Sequence, residues 1–244
     1  ERILNTVLQR VLGVEQQPTE EVTTEDGAVV LDNPAVAAPA LSTVLADSRR
    51  DNDRARDQYR NPVETLEFFR VDPTQTVLEY GPGGGWYTRV LAPYVSAQGT
   101  YVALNGDSDA REYSTAEAEQ RAKSWADRFQ ASVIDMTGAS AETIMAYEVD
   151  EIPEGAAGTV DRALIFRSMH GLWNGDQADA TLGTIRTLLA DDGLVGVVQH
   201  RAPANATWSD VNPARGYMRQ SDVVKLFELH GFQLAATSEI NANP

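Results

Sequence analysis

The stretch Val77-Leu-Glu-Tyr-Gly-Pro-Gly-Gly-Gly85 decides how the rest of this 244-residue chain is read. An apolar run predicts a short buried strand over Thr76–Tyr80. Glycines at 81, 83 and 85 then turn the chain sharply, and a helix over Trp86–Leu91 follows at once. Glycine at such a turn permits φ > 0 and lets the backbone approach a ligand, with free N–H groups directed into a crevice. A strand–helix turn with no ligand has the same local sequence, so the surrounding elements have to decide.

Outward from the loop the pattern alternates. Upstream, Pro62 starts a helix that runs to Phe69. Downstream come a strand over Thr100–Leu104, a helix from about Ser114 to Phe129, a third strand near Thr143–Tyr147 and a fourth over Val160–Phe166. A helix over Asp176–Leu189 leads through Asp191-Asp192-Gly193 to a strand over Leu194–Gln199. Helix Gln220–His230, closed by Gly231, leads to the last strand, Phe232–Ile240. Strands alternating with helices of this length predict a parallel, doubly wound α/β sheet.

With Glu79 two residues before the first glycine, the loop reads E-x-G-x-G-x-G rather than the dinucleotide G-x-G-x-x-G. In that form it resembles motif I of the class I S-adenosylmethionine (SAM)-dependent methyltransferases. Three later landmarks agree in order and spacing: Val160-Asp-Arg-Ala-Leu-Ile-Phe166 resembles that family's fourth strand, Leu188-Leu-Ala-Asp-Asp-Gly-Leu-Val195 its turn into the fifth and Phe227-Glu-Leu-His-Gly-Phe232 its entry to the sixth. The resemblance covers about residues 50–240. Arg60-Asn-Pro62, Pro82-Gly-Gly-Gly-Trp-Tyr-Thr88 and Leu91-Ala-Pro93 are similar to a group of bacterial methyltransferase-like proteins, many with export signals.

The resemblance implies a Rossmann-like methyltransferase sheet and SAM as cofactor. Gly81, Gly83 and Gly85 would pass close to the methionine moiety and ribose, and Glu79 would accept a hydrogen bond from the amino group. The acidic residue that usually holds both ribose hydroxyls is replaced by Asn105, so either Asp107, two residues on, substitutes through a shifted loop or SAM affinity is reduced. An amide offers one acceptor atom and no charge. Glu148 or Asp150, after the third strand, would hold the adenine amine. The acceptor would be a small molecule, its specificity set by segments such as 34–60 and 202–218.

Ligands of a doubly wound sheet sit beyond the carboxyl ends of its strands. His170 and His200 lie just past strands four and five, so they are candidate general bases, or else partly buried hydrogen-bonding histidines. Arg167, a candidate catalytic group, and Arg201 flank the same rim and suit an anionic substrate, or pair with Glu148, Asp150 or Asp176. Trp86, Tyr87, Trp173 and Tyr217 are candidates for an aromatic substrate wall, or ordinary packing. His230, at a helix C-terminus, reads as structural. The absence of H-x-H and H-x-x-x-H spacings gives no expectation of a metal. There is no G-K-[ST] and no G-x-S-x-G, which removes P-loop and hydrolase readings.

Composition bears on the surroundings. The chain is 42% hydrophobic and 23% charged with net charge −16, a field that repels nucleic-acid phosphates. No apolar run reaches the length of a membrane span. With no cysteine, disulfides, thiolate metal sites and cysteine nucleophiles are excluded. Only Lys123 and Lys225 of the twenty basic residues are lysine, which suits a salty medium or a GC-rich coding sequence. The segment Asp47–Arg60 spaces Asp47/Arg50, Asp51/Arg54, Asp53/Arg56 and Asp57/Arg60 at i,i+3, predicting an ion-paired helical face or an Arg or Tyr59 over a ligand pocket.

The N-terminus divides off as residues 1–33, ahead of an α/β domain over 34–244. Ile3, Leu4, Val7, Leu8, Val11 and Leu12 form one helical stripe ended by Gly13, and an acidic arm over Glu15–Asp32 contains a short strand candidate, Gly27–Leu31. The chain opens on Glu1 rather than Met, which reads as a processed product: extracytoplasmic if a signal was cleaved, cytoplasmic if SAM is used. The resembled family ends on an antiparallel seventh strand inserted between the fifth and sixth. Here Phe232–Ile240 fits the sixth and the sequence stops at Pro244. Truncation, a rearranged edge, or a strand supplied from elsewhere, Gly27–Leu31 in this molecule or a neighbour, would account for that. Homo-oligomerisation through residues 1–33 or the open sheet edge follows from the last. Two functions stand: a SAM-dependent methyltransferase, or an inactive protein of that fold serving as an assembly subunit.

Overall fold

The computed structural model describes residues 3–10, 38–207, 211 and 213–242. Its strands are β1 (Ile3–Arg10), β2 (Thr76–Tyr80), β3 (Thr100–Asn105), β4 (Ile144–Glu148), β5 (Val160–Phe166), β6 (Leu189–Arg201), β7 (Tyr217–Met218) and β8 (Phe232–Ser238). They form one sheet in the order β4-β3-β2-β5-β6-β1-β8, with the short β7 pairing the end of β6. The ladders linking β4 to β3, β3 to β2, β2 to β5 and β5 to β6 are all parallel. The glycine loop therefore leaves a central strand at the point where the strand order reverses, where open α/β sheets bind ligands.

Alternation along the strands splits the core into two layers. Leu78 and Tyr80 of β2 face α7 (Met169–Asn174), α8 (Ala178–Leu188) and α9 (Gln220–Leu229) through Leu172, Ile185 and Phe227. Val77, one residue away, faces α1 (Leu41–Ala46), α3 (Pro62–Phe68), α4 (Thr88–Val95) and α6 (Trp125–Thr137) through Val44, Leu66, Leu91 and Val133. The single helix expected over 114–129 is broken at Ser124 into α5 (Ala116–Lys123) and α6, which extends to Thr137. No described helix is long and apolar enough to cross a membrane.

The N-terminus is the main correction. Residues 3–10 are a strand, not an amphipathic helix. β1 pairs antiparallel with β6 on one side and with β8 on the other, so it fills the position expected of the family's seventh strand. The helical stripe misleads because both faces of β1 are covered. Leu8 joins the core under α8 and α9 and Val7 the core under α3 and α4, while Asn5 and Thr6 are also buried. A strand buried on both sides carries no clean period of two, and its apolar spacing imitates a helix. The strand comes from this molecule and from residues 3–10. The candidate donor Gly27–Leu31 and the acidic arm lie outside the described residues.

A buried polar network fixes β1 in register. The Asn241 side-chain N–H group donates to Asn5 Oδ1 at 3.0 Å and to Thr65 Oγ1 at 2.9 Å, and Asn61 Nδ2 donates to the Ile240 carbonyl at 2.9 Å. The two ends of the chain are thus tied to each other and to the start of α3. Removing a donor leaves a buried acceptor unsatisfied, at a cost of about 1–3 kcal/mol. Asn241→Ala is expected to lower unfolding free energy by about that amount in urea denaturation with an unchanged m-value. An unchanged midpoint would show that the network does not stabilise the closure.

Candidate active site

The loop after β2 needs its glycines for conformation. Gly81, Gly83 and Gly85 have φ of +60°, +54° and +74°, values that L side chains rarely adopt. Gly81 also faces the turn after β5, where an added Cβ would lie 3.0 Å from Ser168 Oγ. The two turns border a crevice of three adjoining chambers.

The largest chamber, 620 Å³, is lined by Glu79, Gly81, Gly83, Trp86, Tyr87, Arg167, His170, His200 and Tyr217 of the expected set. A second, 540 Å³, shares Gly81, Arg167, Ser168 and His170 with the first and reaches Asn105. A third, 280 Å³, shares Asn105 and Arg111 with the second and ends on Glu148.

Glu79 is fully buried on the α4 side of the sheet. Its Oε2 accepts from Thr88 Oγ1 at 2.8 Å and Tyr101 OH at 2.6 Å. Desolvation pushes its carboxyl up to about 7, against the opposing pull of those hydroxyls and of Arg89. Tyr101 is raised as well, by burial and by the Glu79 charge. Glu148 Oε2 accepts from the Ser108 backbone N–H at 2.7 Å, and its Oε1 is buried with no donor. Asp107 turns back on its own loop and accepts from the N–H groups of Asp109 and Ala110 at 2.6 and 3.1 Å. Asn105, not Asp107, therefore lines the crevice. Carboxylate oxygens of Asp107, Glu148 and Asp150 lie within 4.8 Å of one another.

The two rim histidines converge. Both rings come within 4 Å of the point where Gly216 would carry a Cβ. The Gln199 amide nitrogen donates to the Gly216 carbonyl and lies 3.4 Å from His170 Nδ1. A carbonyl can only accept, so it orients the amide with its NH2 group toward His170. In that arrangement Nδ1 of a neutral His170 ring accepts from the amide and Nε2 is its donor. His200 is 7% exposed and packs on the Tyr217 ring, which leaves it as the candidate base.

Arg201 is the misplaced candidate. Successive strand residues point to opposite faces, so the residue after His200 turns away from the chamber. Arg201 forms a two-pronged ion pair with Glu239 at 2.7 and 2.6 Å instead. Trp86 and Tyr87 contribute to the chamber wall but are only 4% exposed. Trp86 Nε1 donates to the Asp53 carbonyl at 3.2 Å, and Tyr87 stacks on Phe166. Gly85 shapes the turn without lining the chamber. Trp173 lies outside it, and His230 has a structural role, bonding the Leu226 carbonyl at 2.8 Å and Asp179 at 3.0 Å.

The expected i,i+3 face over 47–60 is replaced by a cap over the largest chamber. The segment folds as short 3₁₀ turns, Ser48–Arg50 and Arg54–Arg56, followed by α2 (Asp57–Arg60). Of the four expected pairs only Asp51–Arg54 forms. Arg50 is fully buried and grips Asp57 with both nitrogens at 3.1 and 2.7 Å, and Asp53 holds Arg89 from α4, one contact being 3.0 Å. Arg60 lies over the Trp86 ring, 4.5 Å from its centroid, as the alternative of an arginine over a pocket had it; Tyr59 is exposed. Arg56, Arg60, Arg89 and Arg215 line the chamber; the first two belong to the segment from which an arginine was expected over a pocket, and Arg89 and Arg215 were not expected there.

No protein family's sequence profile matches the chain, and no curated protein matches it. Solved structures do. A SAM-dependent methyltransferase from Aquifex aeolicus aligns over 79% of this chain and 88% of its own with a TM-score of 0.51 and 17% identity. The chain has the methyltransferase fold. Less similar are the pyocyanin biosynthetic protein PhzM, at TM-score 0.44 and 16% identity over 81% of this chain and 57% of its own, and the mitomycin 7-O-methyltransferase MmcR, at 0.44 and 14% over 79% and 55%. In this chain one position of the sheet is filled from the N-terminus.

Proposed function

We propose that the protein is a SAM-dependent methyltransferase acting on a small-molecule acceptor. The observation that carries this reading is the positive-φ glycine loop, which with buried Glu79 forms a wall of the largest chamber and through Gly81 joins it to the second. Two features fit the cofactor: the Gly81 cradle, which a Cβ would fill, and the donor-less Glu148 Oε1 at the far chamber. Glu79 would take the amino group, Asn105 a ribose hydroxyl, and Glu148 the adenine amine. SAM supplies a methyl group already activated on a sulfonium. The protein therefore has to align the nucleophile, remove its proton where needed, and exclude water. In the largest chamber His170 would orient the acceptor by donating a hydrogen bond, and His200 would take its proton. Net charge −16 favours a small acceptor over nucleic acid. Calorimetric titration with SAM and with S-adenosylhomocysteine tests the reading, and absence of binding at millimolar ligand overturns it.

Glu79 gives this binding a direction in pH. Its folded value of about 7 exceeds the ordinary 4.5, so the folded protein holds an extra proton between those values. The cost of burying the group grows as pH rises through that window and is complete above it. An ammonium group beside the carboxyl favours the anion, so binding expels the proton. At pH 6 only about a tenth of Glu79 is ionised, so S-adenosylhomocysteine should bind about tenfold more weakly at pH 6 than at pH 8. Glu79→Gln should flatten the profile. A flat wild-type profile, or one that weakens toward pH 8, would contradict this role.

A further inference from the structure

We propose that the acceptor carries a multiply charged oxyanion, a phosphoryl group or clustered carboxylates, held in the largest chamber by Arg56, Arg60, Arg167 and Arg215. The proposal rests on reading that chamber as the acceptor side of a SAM-binding crevice.

The charge around the chamber is opposite to that of the molecule. A chain of net charge −16 turns five arginines toward this space against two acids, Asp53 and Glu79. Asp53 is committed to Arg89 through two hydrogen bonds, and burial holds Glu79 partly protonated near neutral pH. The other four guanidinium groups make no ion pair among the described residues.

Arg60 is the most constrained of them. It lies over the Trp86 ring, 4.5 Å from its centroid, with the adjoining Tyr87 ring at 5.8 Å. Its proton is held less tightly than usual, first through burial, with repulsion from Arg167 and Arg56 adding to that and the Tyr87 and Asp53 charges opposing it. Arg167 is set at the junction of two chambers with φ +57°, a conformation that costs a non-glycine residue free energy. Unpaired like charges gathered in a concave space are costly, and an oxyanion with two or more charges relieves that repulsion while accepting several charge-assisted hydrogen bonds. The four come from three separate places: the cap, which carries Arg56 and Arg60, the turn after β5, and the 3₁₀ turn Pro213–Arg215. Local helical spacing accounts for Arg56 beside Arg60, and only the fold brings Arg167 and Arg215 to them.

The test is calorimetric titration of the full chain with pyrophosphate and with citrate, each with and without saturating S-adenosylhomocysteine. Arg56 and Arg215 are exposed, so Arg56→Gln and Arg215→Gln leave the core intact. Wild-type protein is expected to bind at least one anion. The double variant should weaken that binding by about tenfold or more, with a shallower salt dependence. Affinity for S-adenosylhomocysteine should stay within about twofold, since a lost site contact costs more than that. Tighter pyrophosphate assigns a phosphoryl group and tighter citrate assigns carboxylates. Failure of both anions at millimolar concentration, or equal binding by the double variant, overturns the proposal. Loss of S-adenosylhomocysteine binding in the wild type instead overturns the methyltransferase reading, so the two failures are separable.

Discussion

A protein lacking residues 1–10 is expected to be largely insoluble, and any soluble fraction to lose its cooperative thermal transition. β1 lies inside the sheet, with ladders from Ile3–Gln9 to β6 and from Asn5–Arg10 to β8. Its removal exposes two facing rows of backbone donors and acceptors and opens both core layers, which Leu8 and Val7 otherwise close. Unpaired strand edges of this kind promote aggregation. The single substitution Leu8→Ala should cost about 2–5 kcal/mol, read as a fall in Tm. A synthetic peptide of residues 1–10 should restore the transition by strand addition. If the truncated protein melts as the wild type does, β1 is dispensable and the assignment of its place in the sheet fails. The same geometry weakens the reading of this chain as an assembly subunit, because the gap that invited a partner's strand is closed by the chain itself.

What the sequence made legible was whatever depends on near neighbours. The glycine loop, the strand before it and the order of the parallel strands follow from local turn chemistry and from periodicities that each element satisfies alone. β1 does not satisfy one alone, since its two faces acquire meaning only when β6 and β8 cover them. The cap over the chamber failed for a related reason. Arg50 and Asp57 are seven residues apart and Asp53 and Arg89 thirty-six, so an i,i+3 count paired each with the wrong partner. Arg201 failed at one residue's distance, because rim position was inferred from adjacency to His200 while alternation along β6 places the two on opposite faces. Arg215, which does line the chamber, follows a loop whose path no periodicity fixes. The convergence of His170, His200 and Gly216 was half legible: the strand ends supplied the histidines, but only the fold brings the Gln199 amide beside His170.

Within the glycine loop, substitution should divide sharply by position. Gly83→Val is expected to abolish binding of S-adenosylhomocysteine, by a hundredfold or more (~2.7 kcal/mol). Space is not the reason, since a Cβ on Gly83 would meet only the Gly81 carbonyl oxygen, at 3.8 Å. The backbone is the reason. At φ +54° a β-branched residue is a steric outlier, so the loop must either hold that strain or rotate out of it. Rotation redirects the peptide groups lining the crevice. Gly84 is the control. It also lines the chamber, but its φ is not positive and an added Cβ would touch nothing within 4 Å, so Gly84→Ala should bind within about threefold of wild type, the scale of an ordinary surface change. Circular dichroism establishes that both variants are folded before calorimetry compares them. Equal binding by the two variants would mean that the loop's conformation does not govern the ligand, and the cofactor would have to be sought elsewhere in the crevice.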